Sequence, residues 1–133
     1  MVKKIIIYQG HWTNESPREN KNALYIFGDN DIKQGNGGQA VIRDEPNAMG
    51  VPTKKLPSKG ENSFYTDLEY DSNIQKINIA IENILKEFMK DDYNYLVLSY
   101  NKLGTGLSQL PERAPKTFKY LDNKINNLIQ LFD

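Results

Sequence analysis

Ala23-Leu24-Tyr25-Ile26-Phe27-Gly28-Asp29-Asn30-Asp31-Ile32-Lys33-Gln34-Gly35-Asn36-Gly37-Gly38-Gln39-Ala40 is the stretch from which the fold class follows. Its first five residues are an unbroken apolar run, the pattern of a strand buried on both faces. Polar turn formers and closely spaced glycines follow. Gln39-Ala40-Val41-Ile42-Arg43 can open a short helix, which must end before Glu45-Pro46 because the residue ahead of a proline resists helical geometry. The stretch therefore reads as strand, glycine loop, helix. Glycines at such a junction leave backbone N–H groups uncovered, and N–H groups at a helix start attract an anion, most often phosphate. On the glycines alone two readings stay open: an anion loop, or a surface turn that uses glycine for its positive φ angles.

The same grammar continues on either side. Lys3 to Tyr8 is β-branched and predicts a first strand, within the segment that begins Met1-Val2-Lys3-Lys4. Gln9 to Asn22 is polar and reads as a loop. Ala48 to Thr53 predicts a short strand, Leu56 to Asn62 a loop, and Ser63-Phe64-Tyr65 a further short strand. Ile74, Ile77, Ile81, Ile84 and Phe88 recur every three or four residues, so they form one apolar helical stripe, with Asp71 or Ser72 placed to cap it. Tyr95-Leu96-Val97-Leu98-Ser99 is a buried strand, and Leu103-Gly104-Thr105-Gly106-Leu107 is a second glycine loop. Pro115 suits the first turn of a last helix, whose stripe is Phe118, Leu121, Ile125, Leu128 and Phe132. Strands alternating with one-sided helices predict an α/β, three-layer domain with a mixed, largely parallel central sheet, and residues 1–133 read as one domain. Ligands of such sheets sit outside the carboxyl ends of the strands, where both glycine loops fall.

Composition narrows the function classes. Lysine plus arginine equal aspartate plus glutamate at 17 each, so no global field favours nucleic acid or an anionic membrane. No apolar run approaches the roughly 20 residues of a membrane span, and the amino-terminal one is too short for a signal peptide. With no cysteine there is no disulfide or thiolate chemistry, and with His11 as the single histidine no site needing two. The expected location is cytoplasmic, with no metal and no cofactor. The Lys/Asn/Ile bias suggests an A·T-rich bacterial or phage genome.

Asn30, four residues and then Gly35-Asn36-Gly37-Gly38 resemble the first ligand loop of macro domains, which bind ADP-ribose. Leu98 to Leu107 resembles their second phosphate loop, a strand followed by Gly-x-Gly and an apolar residue. Pro52-Thr53-Lys54-Lys55 is similar to the strand end that carries a nucleophilic lysine in the branch that cleaves ADP-ribose from glutamate. Gly28-Asp29-Asn30, Gly37-Gly38-Gln39-Ala40 and the run from Pro46 to Lys54 resemble small phage-encoded macro-like proteins. The likeness spans roughly residues 23 to 121. That branch has an aspartate where this chain has Ser108, and a serine hydroxyl cannot serve as a carboxylate acid or base near neutral pH.

The resemblance implies a cleft for ADP-ribose or a related NAD-derived nucleotide. Asp29 would read the base or its ribose. Gly35, Gly37, Gly38, Gly104, Thr105, Gly106 and Leu107 would hold the pyrophosphate, with Gln39 and Ala40 at the helix start. Asn30 and Lys54 would face the distal ribose. They would carry any hydrolysis, Asn30 by placing a water and Lys54 as nucleophile. An ADP-ribosyl hydrolase is the enzyme alternative, and a ligand-free interaction module of phage origin the third. Trp12 is expected in the core rather than on adenine, Tyr100 and Asn101 either lining the distal ribose pocket or simply ending a strand, and Glu112 and Arg113 at a helix start without chemistry.

Overall fold

The computed structural model describes residues 3–132. Its strands are β1 (Ile5–Gln9), β2 (Ala23–Asn30), β3 (Ala48–Lys54) and β4 (Tyr95–Ser99), in the order β1–β4–β2–β3. Every neighbouring pair is parallel. The mixed, largely parallel sheet expected from the sequence is parallel throughout its four strands. Among the described residues antiparallel pairing is confined to an isolated bridge between Lys54 and Phe64. Met1 and Val2, which the first-strand reading included, lie outside the described residues.

Among the described residues four α-helices accompany the sheet: α1 (Glu15–Glu19), α2 (Tyr70–Phe88), α3 (Leu110–Arg113) and α4 (Pro115–Gln130). Side-chain alternation along the strands divides the core into two halves. Leu24, Ile26, Val51, Leu96 and Leu98 face α2 and α4, meeting Ile77, Ile84, Phe88, Leu121 and Leu128. Tyr25, Phe27 and Val97 face the other way, against Trp12, Ala40 and Ile42. The result is a three-layer α/β fold. A strand covered on both faces needs apolar residues on both, which is why β2 reads as a continuous run. Among the described residues no helix is long and apolar enough to cross a membrane.

Several local expectations change. The supposed loop from Gln9 to Asn22 contains α1, whose Pro17 sits in its first turn, where a missing N–H costs nothing. The helix after the first glycine loop is a five-residue 3₁₀ turn, Gly38–Ile42. Only a tight, short helix fits before the chain must turn at Pro46 into β3. Ser63-Phe64-Tyr65 is not a strand; a 3₁₀ turn at Glu61–Ser63 leads to the single bridge at Phe64. Helix α2 begins at Tyr70 without a side-chain cap, so neither Asp71 nor Ser72 plays that part. Pro52 lies inside β3, which is tolerable because β3 is an edge strand and residue 52 turns its nitrogen away from β2.

The amino end of α4 is closed from a distance. The N–H groups of Lys116 and Thr117 and the Thr117 hydroxyl donate to the Asp67 carboxylate at 2.9, 3.0 and 3.0 Å. Burial pushes this carboxyl up, but the three hydrogen bonds and the Lys116 charge outweigh it and hold it below the ordinary value of 3.8. A carboxyl depressed by folding stabilises above its unfolded pKa, and that contribution is lost as pH falls through 3.8 and on through the folded value. Asp67→Asn should therefore cost about 1 kcal/mol at neutral pH. It should also flatten the acid limb of the stability curve below pH 3.8 in urea unfolding. Parallel acid limbs in the variant and the parent would show that Asp67 does not carry this linkage.

Candidate functional site

Strands β2 and β4 are neighbours, yet the chain leaves them toward opposite faces. After β2 it passes to the layer holding Ala40 and Ile42; after β4 it passes to α3 and α4, with Leu110, Ala114 and Leu121. This divergence is the topological switch point at which open α/β sheets take their ligands. Both glycine loops start there.

The first loop is held from within. The Asn30 amide donates to the Gln34 carbonyl at 2.7 Å and accepts from the Gln34 N–H at 3.3 Å. Arg43, one residue past the 3₁₀ turn, clamps it from outside. Its guanidinium donates Nε and Nη2 to the buried Asp29 carboxylate, the shorter bond being 2.6 Å, and Nη1 to the Gly35 carbonyl. Asp29 thus arrives at the rim with its carboxylate already engaged. Ala40 is buried in the core, and Gln39 is half-buried, its carbonyl accepting from the Trp12 indole at 3.3 Å. Gly35, Gly37 and Gly38 remain exposed.

The second loop turns on Gly104. Its φ is +86°, and a Cβ there would lie 2.8 Å from Leu110, so only glycine fits. Thr105 closes the turn with its N–H and hydroxyl on the Lys102 carbonyl. Ser108 bonds Thr53 at 2.6 Å, and Thr53 also donates to the Asp29 carbonyl. The loops touch at the tips: Leu107 Cδ1 stands 3.2 Å from the position a Cβ would take on Gly37. Pro57, from the loop after β3, approaches Gly35 in the same way. Gly106 faces open space. The N–H groups of Gly35, Asn36, Gly37, Gly106 and Leu107 donate to no acceptor among the described residues. Two loops therefore offer free donors side by side.

Lys54 occupies a separate cluster next to the first loop, level with Asn30 in the β2–β3 ladder. It is 8% exposed, and its ammonium donates to the Ser58 carbonyl at 2.9 Å and lies 4.6 Å from the centre of the Phe64 ring. Arg113 stacks on the same ring at 3.7 Å and pairs with Glu61. Burial, then the Arg113 charge, push the Lys54 ammonium below its ordinary pKa. Lys55 is held by Glu69 at 2.6 Å. His11 is exposed, Trp12 is buried against Tyr25, and Tyr100 stacks on Tyr8. Among the described residues no group of three or more His, Asp or Glu is placed to hold a metal.

A groove of about 630 Å³ opens along the outer edge of β3. Ala48, Gly50 and Pro52 form one wall, Ile79, Ala80 and Asn83 of α2 the other; Asn30, Asp31 and Lys33 stand at the end shared with the first loop. Sequence reasoning missed this groove and the parts of Arg43, Thr53, Phe64 and Arg113. The Asp29–Arg43 pair spans 14 residues and an irregular loop, and no periodicity announces it.

The chain belongs to a family described as a family of unknown function (DUF7831), which matches residues 7–124. No curated protein and no solved structure gives a significant match.

The Arg43 clamp is testable by a mutant cycle. Arg43→Met leaves the Asp29 carboxylate buried without a counter-charge and should cost about 3 kcal/mol in urea unfolding. Adding Asp29→Asn should recover most of that loss. Costs that simply add would show that the two side chains do not act as a pair.

Proposed function

We propose that this protein binds ADP-ribose or a related NAD-derived nucleotide at the rim where the two glycine loops meet. The observation that carries this reading is the meeting itself: two exposed loops from adjacent parallel strands, with unused N–H donors on both and Leu107 seated on Gly37 and Gly38. A helix dipole adds little, because the 3₁₀ turn has only five residues. The pyrophosphate is instead held by the loops' own N–H groups. Hydrogen bonds to a charged oxygen contribute about 1.5 kcal/mol or more each. Three of them give roughly 4.5 kcal/mol, which offsets little more than the cost of association, so contacts to sugar and base must supply the rest of the affinity. The likeness of both loops to those of macro domains supports this choice of diphosphate ligand.

Lys54 gives a second reading specific support. An amine depressed by burial and by Arg113 is more nucleophilic at neutral pH than an ordinary lysine. Attack on the anomeric carbon of an ADP-ribosylated glutamate would break its bond to the glutamate oxygen, which leaves as carboxylate. Two features work against it. The ammonium is turned to Ser58, and the Ser108 hydroxyl is spent on Thr53.

Isothermal calorimetry with ADP-ribose should give a dissociation constant in the sub-millimolar range. Leu107→Asp, at a side chain 61% exposed, should abolish the heat without unfolding the protein, because it brings a negative charge to the loops. Absence of heat from the parent at millimolar ligand would sink the binding reading. For the second reading, turnover of a glutamate-linked ADP-ribosyl peptide should vanish in Lys54→Ala; unchanged turnover would remove the lysine route.

A further inference from the structure

We propose that the groove along β3 is an adenine subsite, read by the backbone of the strand's free edge; this rests on the nucleotide reading above and extends it. The ladder decides which backbone groups are available. The Tyr25 N–H donates to the Asn47 carbonyl at 2.9 Å, and Tyr25 is level with Ala48. In a parallel ladder that register turns Met49, Val51 and Thr53 toward β2, and turns Ala48, Gly50 and Pro52 outward. The Ala48 N–H is used by the Glu45 carbonyl, and Pro52 has none. The groove wall therefore presents one donor, the Gly50 N–H, between the carbonyls of Ala48 and Pro52, beside the carbonyl of Gly50 itself.

That pattern matches the edge of adenine. The exocyclic amino group donates to the Ala48 carbonyl while N1 accepts from the Gly50 N–H, two residues along the same side of an extended strand. Gly50 leaves the approach unobstructed; a side chain there is excluded in any case by Asp29, whose Cβ lies 3.0 Å from the position a Cβ would take. Ile79 and Ala80 supply the apolar surface for the ring faces. At roughly 3.3 Å per residue, the four residues from Gly50 to Lys54 span about 13 Å. A nucleoside diphosphate lying along the strand extends about that far, and the span ends beside Asn30, the partner of Lys54 in the ladder. The charged groups at that end are Lys33, Arg43 and Lys76 against Asp29 and Asp31. Both carboxylates are paired, Asp29 with Arg43 and Asp31 with Lys76, which leaves Lys33 as the surplus positive charge facing a phosphate.

Amide spectra of the ¹⁵N-labelled protein, titrated with AMP, IMP and ADP-ribose, test this. AMP is expected to shift Gly50 and the α2 amides around Ala80. IMP carries N1–H and a carbonyl where AMP has an acceptor and an amino group, so it should bind at least about tenfold more weakly. Ile79→Trp, at a side chain 60% exposed, should fill the groove and abolish the AMP shifts while the rest of the spectrum stays native. If ADP-ribose moves the glycine loops but leaves Gly50 and α2 unmoved, the subsite is overturned and the loop reading stands. If AMP acts as expected and ADP-ribose does not bind, the loop reading fails and the subsite stands. Equal binding of AMP and IMP, or no shift with any of the three, overturns the subsite.

Discussion

Strands β2 and β4 lie side by side and parallel, and the chain departs from them to opposite faces of the sheet. That divergence is the constraint on which the rest depends. It obliges the two connections to separate above the strand ends, so backbone rather than packed side chain occupies the rim there. It also sets the demand for glycine. Gly104 must turn at φ +86° against Leu110, and Gly37 must leave room for Leu107. The two layers that receive the departing chains are the two halves of the core, so the site and the fold have one cause.

Arg43 converts this topology into a defined loop. Its guanidinium fastens the end of β2, through Asp29, to the carbonyl of Gly35. Without that link a loop of polar and glycine residues would have little to fix it, because such residues lose much conformational freedom on ordering. The Asn30 amide performs the same service inside the loop. These bonds engage backbone carbonyls and side chains and leave the glycine N–H groups unclaimed. The loop is thus held by hydrogen bonds that leave its glycine N–H groups without acceptors among the described residues.

Much of the architecture was legible in the sequence, for physical reasons. The run Ala23 to Phe27 must be buried on both faces, and the stripes of α2 and α4 repeat with the helical period, so strand, helix and layer follow from pattern. That both glycine loops lie at the carboxyl ends of the strands follows from their order along the chain; that they meet at a switch point depends on the strand order. What stayed hidden depends on distant pairings. Asp67 caps a helix about fifty residues away, and Ser108 meets Thr53 across 55. Periodicity records none of these. The groove escaped for a related reason: its polar groups are backbone atoms of an edge strand, and which of them face outward is set by register. The short helix expected from Gln39 is present, but its 3₁₀ form did not show in the sequence because five residues are too few for a helical period to register.

The central claim is that the two glycine loops act as one ligand site. Hydrogen–deuterium exchange of the intact protein with and without ADP-ribose tests it most directly. Residues 35–38 and 104–107 should slow together, over the same range of ligand concentration, while β1 is unchanged. Protection of one loop alone, or of neither at saturating ligand, would contradict it.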